Sequence, residues 1–153
     1  MEFTYSQRRE WNSAAQRSVL MGTRGMVAAS QPLATLAGYK ILSRGGNAVD
    51  AAVAMVGTLS VVEPYSVGLG GDAFAMIYLA KESKLIGMNA SGRAPYRATI
   101  DWFREQGMTE VPERGILAVT VPGALHGWAK AIERYGTLKL RDVFEDAIYY
   151  AEN

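Results

Sequence analysis

The stretch AVDAAVAMVGTLSVV, residues 48–62, constrains the fold of this chain more than any other. Drawn as a helix, it is apolar on nearly all sides and carries a single ionisable group, Asp50. Such a helix must be covered on more than one face. Its small residues Ala48, Ala51, Ala52, Ala54 and Gly57 let neighbouring backbones approach closely. It is shorter than the roughly 20 apolar residues that cross a bilayer and stops at Glu63-Pro64, so a buried core helix is predicted and a membrane span is not. Asn47 caps its start, and Asp50 three residues later can return a hydrogen bond to the cap.

The flanking sequence predicts an α/β, more narrowly α+β, domain. Residues 25–29 (GMVAA) read as a short first strand. Ser30 then caps a helix with Pro32 in its first turn, where a missing N–H costs nothing. Leu33, Leu36, Ala37 and Ile41 form its apolar face, and Gly45-Gly46 ends it. Beyond Pro64, residues 73–80 and 85–89 read as a hairpin and residues 100–106 as a short helix. Residues 116–121 read as another strand. A helix starting at Pro122 carries Leu125, Trp128, Ala129 and Ile132 on one face and stops at Gly136. Leu140, Val143, Phe144, Ala147, Ile148 and Ala151 make a stripe along a last helix. A hairpin between two helical groups implies a mixed or antiparallel sheet with helices packed on it.

Several function classes drop out on composition. Sixteen basic and fifteen acidic residues leave a charge of +1, which suggests no nucleic-acid groove. There is no cysteine, so thiol catalysis and Cys-type metal sites are excluded. The lone histidine, His126, sits at helical spacing from Lys130 and Arg134 and off the apolar face, so it reads as solvated. No metal and no cofactor are expected. Residues 1–24 are polar and irregular, an arm preceding a unit over 25–153. The first twenty residues contain no continuous apolar run, which points to the cytoplasm.

Gly68-Leu69-Gly70-Gly71-Asp72-Ala73 fits G-x-G-x-x-A, the pattern of a dinucleotide-binding turn. Such a turn must follow a strand and open a helix, because the helix N-terminus carries the anion. Here it follows a helix and opens a strand. The glycines are better explained by positive φ and close backbone approach at the entry to that strand. Arg93, in NASGRAP over residues 89–95, is a candidate of another kind. A lone arginine after a buried strand can pair with a carboxylate in a bidentate fork, or it can be an ordinary solvated loop arginine. No complete active site is contained in these residues.

The segment from Gly25 to Tyr78, with its GGNAVDAA helix, VEP and glycine turn, strongly resembles the beginning of the gamma-glutamyltranspeptidase family. GRAP and the stretch TVPGALHGWAKAIERYGTLKL continue the likeness in order, to the last residue. The resemblance implies an N-terminal-nucleophile hydrolase, a four-layer αββα sandwich. It further implies a precursor that cuts itself and a threonine, freed at the start of the small subunit, that attacks the acyl group. The α-amino group of that threonine acts as base, and backbone amides hold the oxyanion. The chain would then be the first part of the large subunit, inactive alone, with the rest of that subunit and the small subunit as its partners. None of its own threonines stands in the nucleophile motif.

Under the resemblance the substrate is a gamma-glutamyl amide such as glutathione, and Arg93 becomes a substrate contact. Two positions depart from the family pattern. A run of four glycines before the phenylalanine is replaced by Gly70-Gly71-Asp72-Ala73. The family's carboxylate-binding arginine, which heads R-E-x-A-P, falls on Ser91, two residues and about 6.6 Å of extended chain before Arg93. An amide acylase with a non-glutamyl donor is therefore the alternative reading, and a non-catalytic structural or binding subunit is the alternative from another class.

Overall fold

A computed structural model describes residues 19–153; most of the predicted N-terminal arm, residues 1–18, lies outside the described residues. Helix α1, Pro32–Ser43, packs along α2, Ala48–Val62. The opposite side of α2 meets α4, Ala124–Tyr135, and the terminal pair α5, Leu140–Val143, and α6, Glu145–Glu152. Between the two helical groups comes the hairpin of β1, Phe74–Leu79, and β2, Lys84–Asn89, followed by the short α3, Ile100–Glu105. Strands β1 and β2 are antiparallel, with Ile77 opposite Ile86 and Met76 opposite Gly87.

The apolar helix is covered on more than one face, while Ala48 and Ala52 stay exposed along an open groove. Ala54, Gly57 and Leu59 are buried, and so is Asp50. Its small residues mark the closest approaches: a Cβ on Gly57 would lie 2.6 Å from the ring of Phe144. Another on Gly38 of α1 would lie 2.7 Å from Met55. Small residues also set the buried faces of the other helices. Helix α1 buries Ala34, Ala37, Gly38 and Ile41, while Leu36 is exposed. Helix α4 buries Ala124, Gly127, Trp128, Ala131 and Ile132, while Leu125 is exposed. In both cases close backbone contact overrides the simple count of large apolar residues.

Asp50 joins the two ends of this helical layer. Its carboxylate accepts from the N–H of Asn47 at 2.8 Å, completing the predicted capping box. It also accepts from the Thr137 N–H at 3.0 Å, the Thr137 hydroxyl at 2.6 Å and the Leu138 N–H at 3.2 Å. Asn47 Nδ2 donates to the carbonyl of Tyr135 at 2.6 Å. Burial alone would raise the pKa of Asp50, but these hydrogen bonds outweigh it and hold the carboxyl below its ordinary value. The N-terminus of α2 is thereby tied to the loop after α4.

The structure corrects four local expectations. Residues 25–29 form no strand, because among the described residues only β1 and β2 pair with one another. Residues 116–121 likewise lack a ladder: Ile116–Ala118 is a 3₁₀ turn, and a single bond from the Val121 N–H to the Arg93 carbonyl (2.9 Å) is what pairs the extended part. The cap of α1 is Gln31, whose side chain accepts from the N–H groups of Leu33 and Ala34; Ser30 instead donates to Glu63 Oε2 at 2.6 Å. The last apolar stripe is carried by two helices that break at Phe144.

One side of the hairpin faces α2 and α4 across an apolar groove of about 670 Å³, lined by Val49, Val53, Val56, Ile77, Met88 and Trp128 among others. The other side is bare. Phe74, Met76, Tyr78 and Leu85 are 69%, 77%, 64% and 57% exposed. Among the described residues no helix is long and apolar enough to cross a membrane.

Candidate functional site

Three segments converge beside the open end of the hairpin: residues 68–73 entering β1, residues 89–95 leaving β2, and residues 119–124 leading into α4. The ladder runs one pair past the hairpin, through the Ala90 N–H to the Ala73 carbonyl at 2.8 Å and the return bond at 3.3 Å. The Gly71 carbonyl accepts from the N–H groups of Gly123 and Ala124, at 3.2 and 2.9 Å. Asp72 Oδ1 accepts from the Gly92 N–H at 3.0 Å and from the Thr120 hydroxyl at 3.2 Å. One carboxylate thus bridges all three segments.

The segments lie close enough to leave no room for side chains at two glycines. A Cβ on Gly92 would sit 1.7 Å from the carbonyl oxygen of Val121. On Gly123 it would sit 2.3 Å from the carbonyl oxygen of Ala90. Neither position needs positive φ; the requirement is space. The glycines of the 68–71 run differ from what the sequence implies. None has positive φ, and a Cβ on Gly68 or Gly70 would meet nothing within 4 Å. The loop enters a strand and no helix follows it directly, so the dinucleotide reading also fails on geometry.

The Asp72 carboxyl is held below its ordinary pKa chiefly by the Gly92 N–H, which outweighs desolvation, with smaller help from the hydroxyls of Thr120 and Ser91. Asp72 is therefore an anion that accepts hydrogen bonds at neutral pH. Ser91 is half-buried, and its N–H donates to Asn89 Oδ1 at 2.9 Å.

Arg93 is exposed on this turn. Its carbonyl is occupied by Val121, but among the described residues no carboxylate lies within 4.0 Å of its guanidinium. Asp72, the nearby acid, is committed to the backbone and to hydroxyls. An arginine fork on a fixed turn can recognise a planar anion such as a carboxylate. His126 is exposed on α4, the helix that also carries the Lys130–Glu133 ion pair. Among the described residues no group of three or more metal-ligating side chains comes together. Asp72 and Thr120 escape a reading of the sequence, since their partners lie 20 and 48 residues apart. The available signal is the acid itself, set in a run of glycines.

Residues 34–153 match the family model described as gamma-glutamyltranspeptidase. The chain is 42% identical over 135 residues to the glutathione hydrolase-like YwrD proenzyme of Bacillus subtilis, covering 88% of this chain and 25% of that one. The crystal structure of cephalosporin acylase from Bacillus halodurans superposes with a TM-score of 0.84 at 47% identity, covering 90% of this chain and 26% of the acylase. The Helicobacter pylori gamma-glutamyltranspeptidase structure gives 0.79 at 38% identity, covering 87% and 39%. The chain spans about a quarter of the length of the curated relatives it matches.

Proposed function

This chain belongs to the gamma-glutamyltranspeptidase family, and on that premise we propose that the whole protein is an amide hydrolase or acyltransferase working through an N-terminal nucleophile. The acyl donor is a gamma-glutamyl amide such as glutathione, and the acceptor is water or an amine. The nucleophile, a threonine released by self-cleavage, belongs to a part of the protein outside these 153 residues, as do the remainder of the large subunit and the small subunit that complete the sheets. The observation that carries the proposal is the ordered match over residues 34–153, together with a fold shared with solved enzymes of the family. The role given to this chain's own residues is recognition: Arg93, exposed on a braced turn and without an acidic partner among the described residues, contacts the anionic end of the donor.

One observation favours a second reading within the same chemistry. In the R-E-x-A-P frame the arginine position is Ser91, whose N–H donates to Asn89 Oδ1, and the glutamate position is Gly92, where even a Cβ has no space. That departure, and the 47% identity to an enzyme named cephalosporin acylase, support an acylase with a non-glutamyl donor. Purified full-length protein, checked for self-cleavage into two subunits, would be assayed on a gamma-glutamyl amide and on an uncharged acyl amide. Turnover of the first supports the gamma-glutamyl reading, and turnover of the second alone supports the acylase. A protein that neither cleaves itself nor turns over either donor would refute both and leave a non-catalytic subunit.

A further inference from the structure

We propose that Asp72 is a positioning residue for substrate recognition, bracing the turn over residues 91–93 so that Arg93 is presented free to the donor. This rests on the reading of Arg93 as a substrate contact. Asp72 Oδ1 holds the Gly92 N–H at 3.0 Å, one residue before Arg93, and the Thr120 hydroxyl at 3.2 Å. The Val121 N–H, one residue after Thr120, holds the Arg93 carbonyl at 2.9 Å. The turn is therefore gripped on both sides of the Gly92–Arg93 peptide, by one carboxylate and by the backbone that the same carboxylate anchors. Gly92 makes this possible, because any side chain there would run into Val121.

The arrangement also explains why, among the described residues, Arg93 has no acidic partner. A carboxylate free to rotate within reach of an arginine would pair with it and compete with an anionic substrate. Asp72 Oδ1 is taken instead by the Gly92 N–H and the Thr120 hydroxyl. It fixes the loop without neutralising the guanidinium. Held geometry matters to recognition because a displacement of about 1 Å can cost a hundredfold in rate.

The test uses the full-length processed enzyme and the variants Asp72→Ala, Asp72→Asn and Thr120→Val. Asparagine keeps an oxygen acceptor and is expected to remain near wild type. Alanine should raise KM for an anionic acyl donor by about ten- to a hundredfold with little change in kcat, and should leave an uncharged donor nearly unaffected. Thr120→Val, which preserves volume, should lie between them and keeps the question answerable if the alanine variant fails to fold. Trypsin cleavage after Arg93, read by mass spectrometry, should accelerate in the order wild type, Asp72→Asn, Thr120→Val, Asp72→Ala. Equal losses on both donors, or cleavage after Arg93 unchanged by Asp72→Ala and Thr120→Val, would overturn the inference. If wild-type enzyme acts on neither donor, the functional reading fails by itself, and the trypsin comparison still decides whether Asp72 braces the turn.

Discussion

Among the described residues the Arg93 guanidinium has no hydrogen-bond or salt-bridge partner, while the Ser91 and Gly92 N–H groups and the Arg93 carbonyl of its turn are all engaged, and that contrast sets what its substitution should do. A charge-assisted fork to a carboxylate is worth roughly 1.5–3 kcal/mol, so Arg93→Ala should raise KM for an anionic donor about ten- to a hundredfold. Lysine keeps the charge but not the planar fork, and Arg93→Lys should recover only part of the loss. Steady-state constants on charged and uncharged donors check both; equal effects on the two would make Arg93 a loop residue only. Gly92 is more sharply constrained. Gly92→Ala places a methyl where the Val121 oxygen already sits, so the 119–124 segment must move. The variant should accumulate poorly, or lose binding of charged donors as Arg93→Ala does, and a thermal melt beside the same assay would show which. A lone arginine beside a glycine is visible in the sequence, which is why Arg93 could be singled out there. The brace was not visible, because Asp72, Gly92 and Thr120 are brought together only when the hairpin forms and the 119–124 segment docks on it.

Among the elements, α2 was the most legible. Its capping box joins residues three apart, and its all-round apolar surface states its own need for cover, so local chemistry and tertiary role agree. Strand candidates were less so. Residues 25–29 and 116–121 have suitable side chains, but a strand exists only where a neighbour takes its hydrogen bonds, and neither stretch has a ladder here. The Asp50 joint extends the capping box to partners no local pattern reveals. Asp50→Ala would leave four donor groups, the N–H groups of Asn47, Thr137 and Leu138 and the Thr137 hydroxyl, without their acceptor. A loss of about 2–4 kcal/mol is expected, seen as a lowered Tm. Because the folded carboxyl titrates below its unfolded value of about 3.9, its contribution is fully present above that pH and is lost as pH falls through the lower, folded pKa. The Tm difference between wild type and Asp50→Asn should therefore be constant at neutral pH and shrink below about pH 4. A gap that widens on acidification would contradict this assignment.

At the scale of the whole chain, a two-stranded hairpin carries an apolar groove on one side and Phe74, Met76, Tyr78 and Leu85 on the other. Apolar area stabilises at about 25 cal/mol per Å² only when something covers it, and two strands rarely suffice alone. The isolated 153-residue chain should aggregate or fail to show a cooperative thermal transition, as measured by size-exclusion chromatography and calorimetry. A monomer with a sharp transition would show that the helical layer is sufficient by itself. The Asp50 joint has one more consequence, and it concerns time. The groups that close over the start of α2 lie 87 and 88 residues further along the chain. At a synthesis rate of roughly 5–20 residues per second, the newborn helix waits about 4–17 s for Thr137 and Leu138 to leave the ribosome. For that interval the helix has no native lid on that flank, which leaves an apolar stretch of the nascent protein in need of a chaperone.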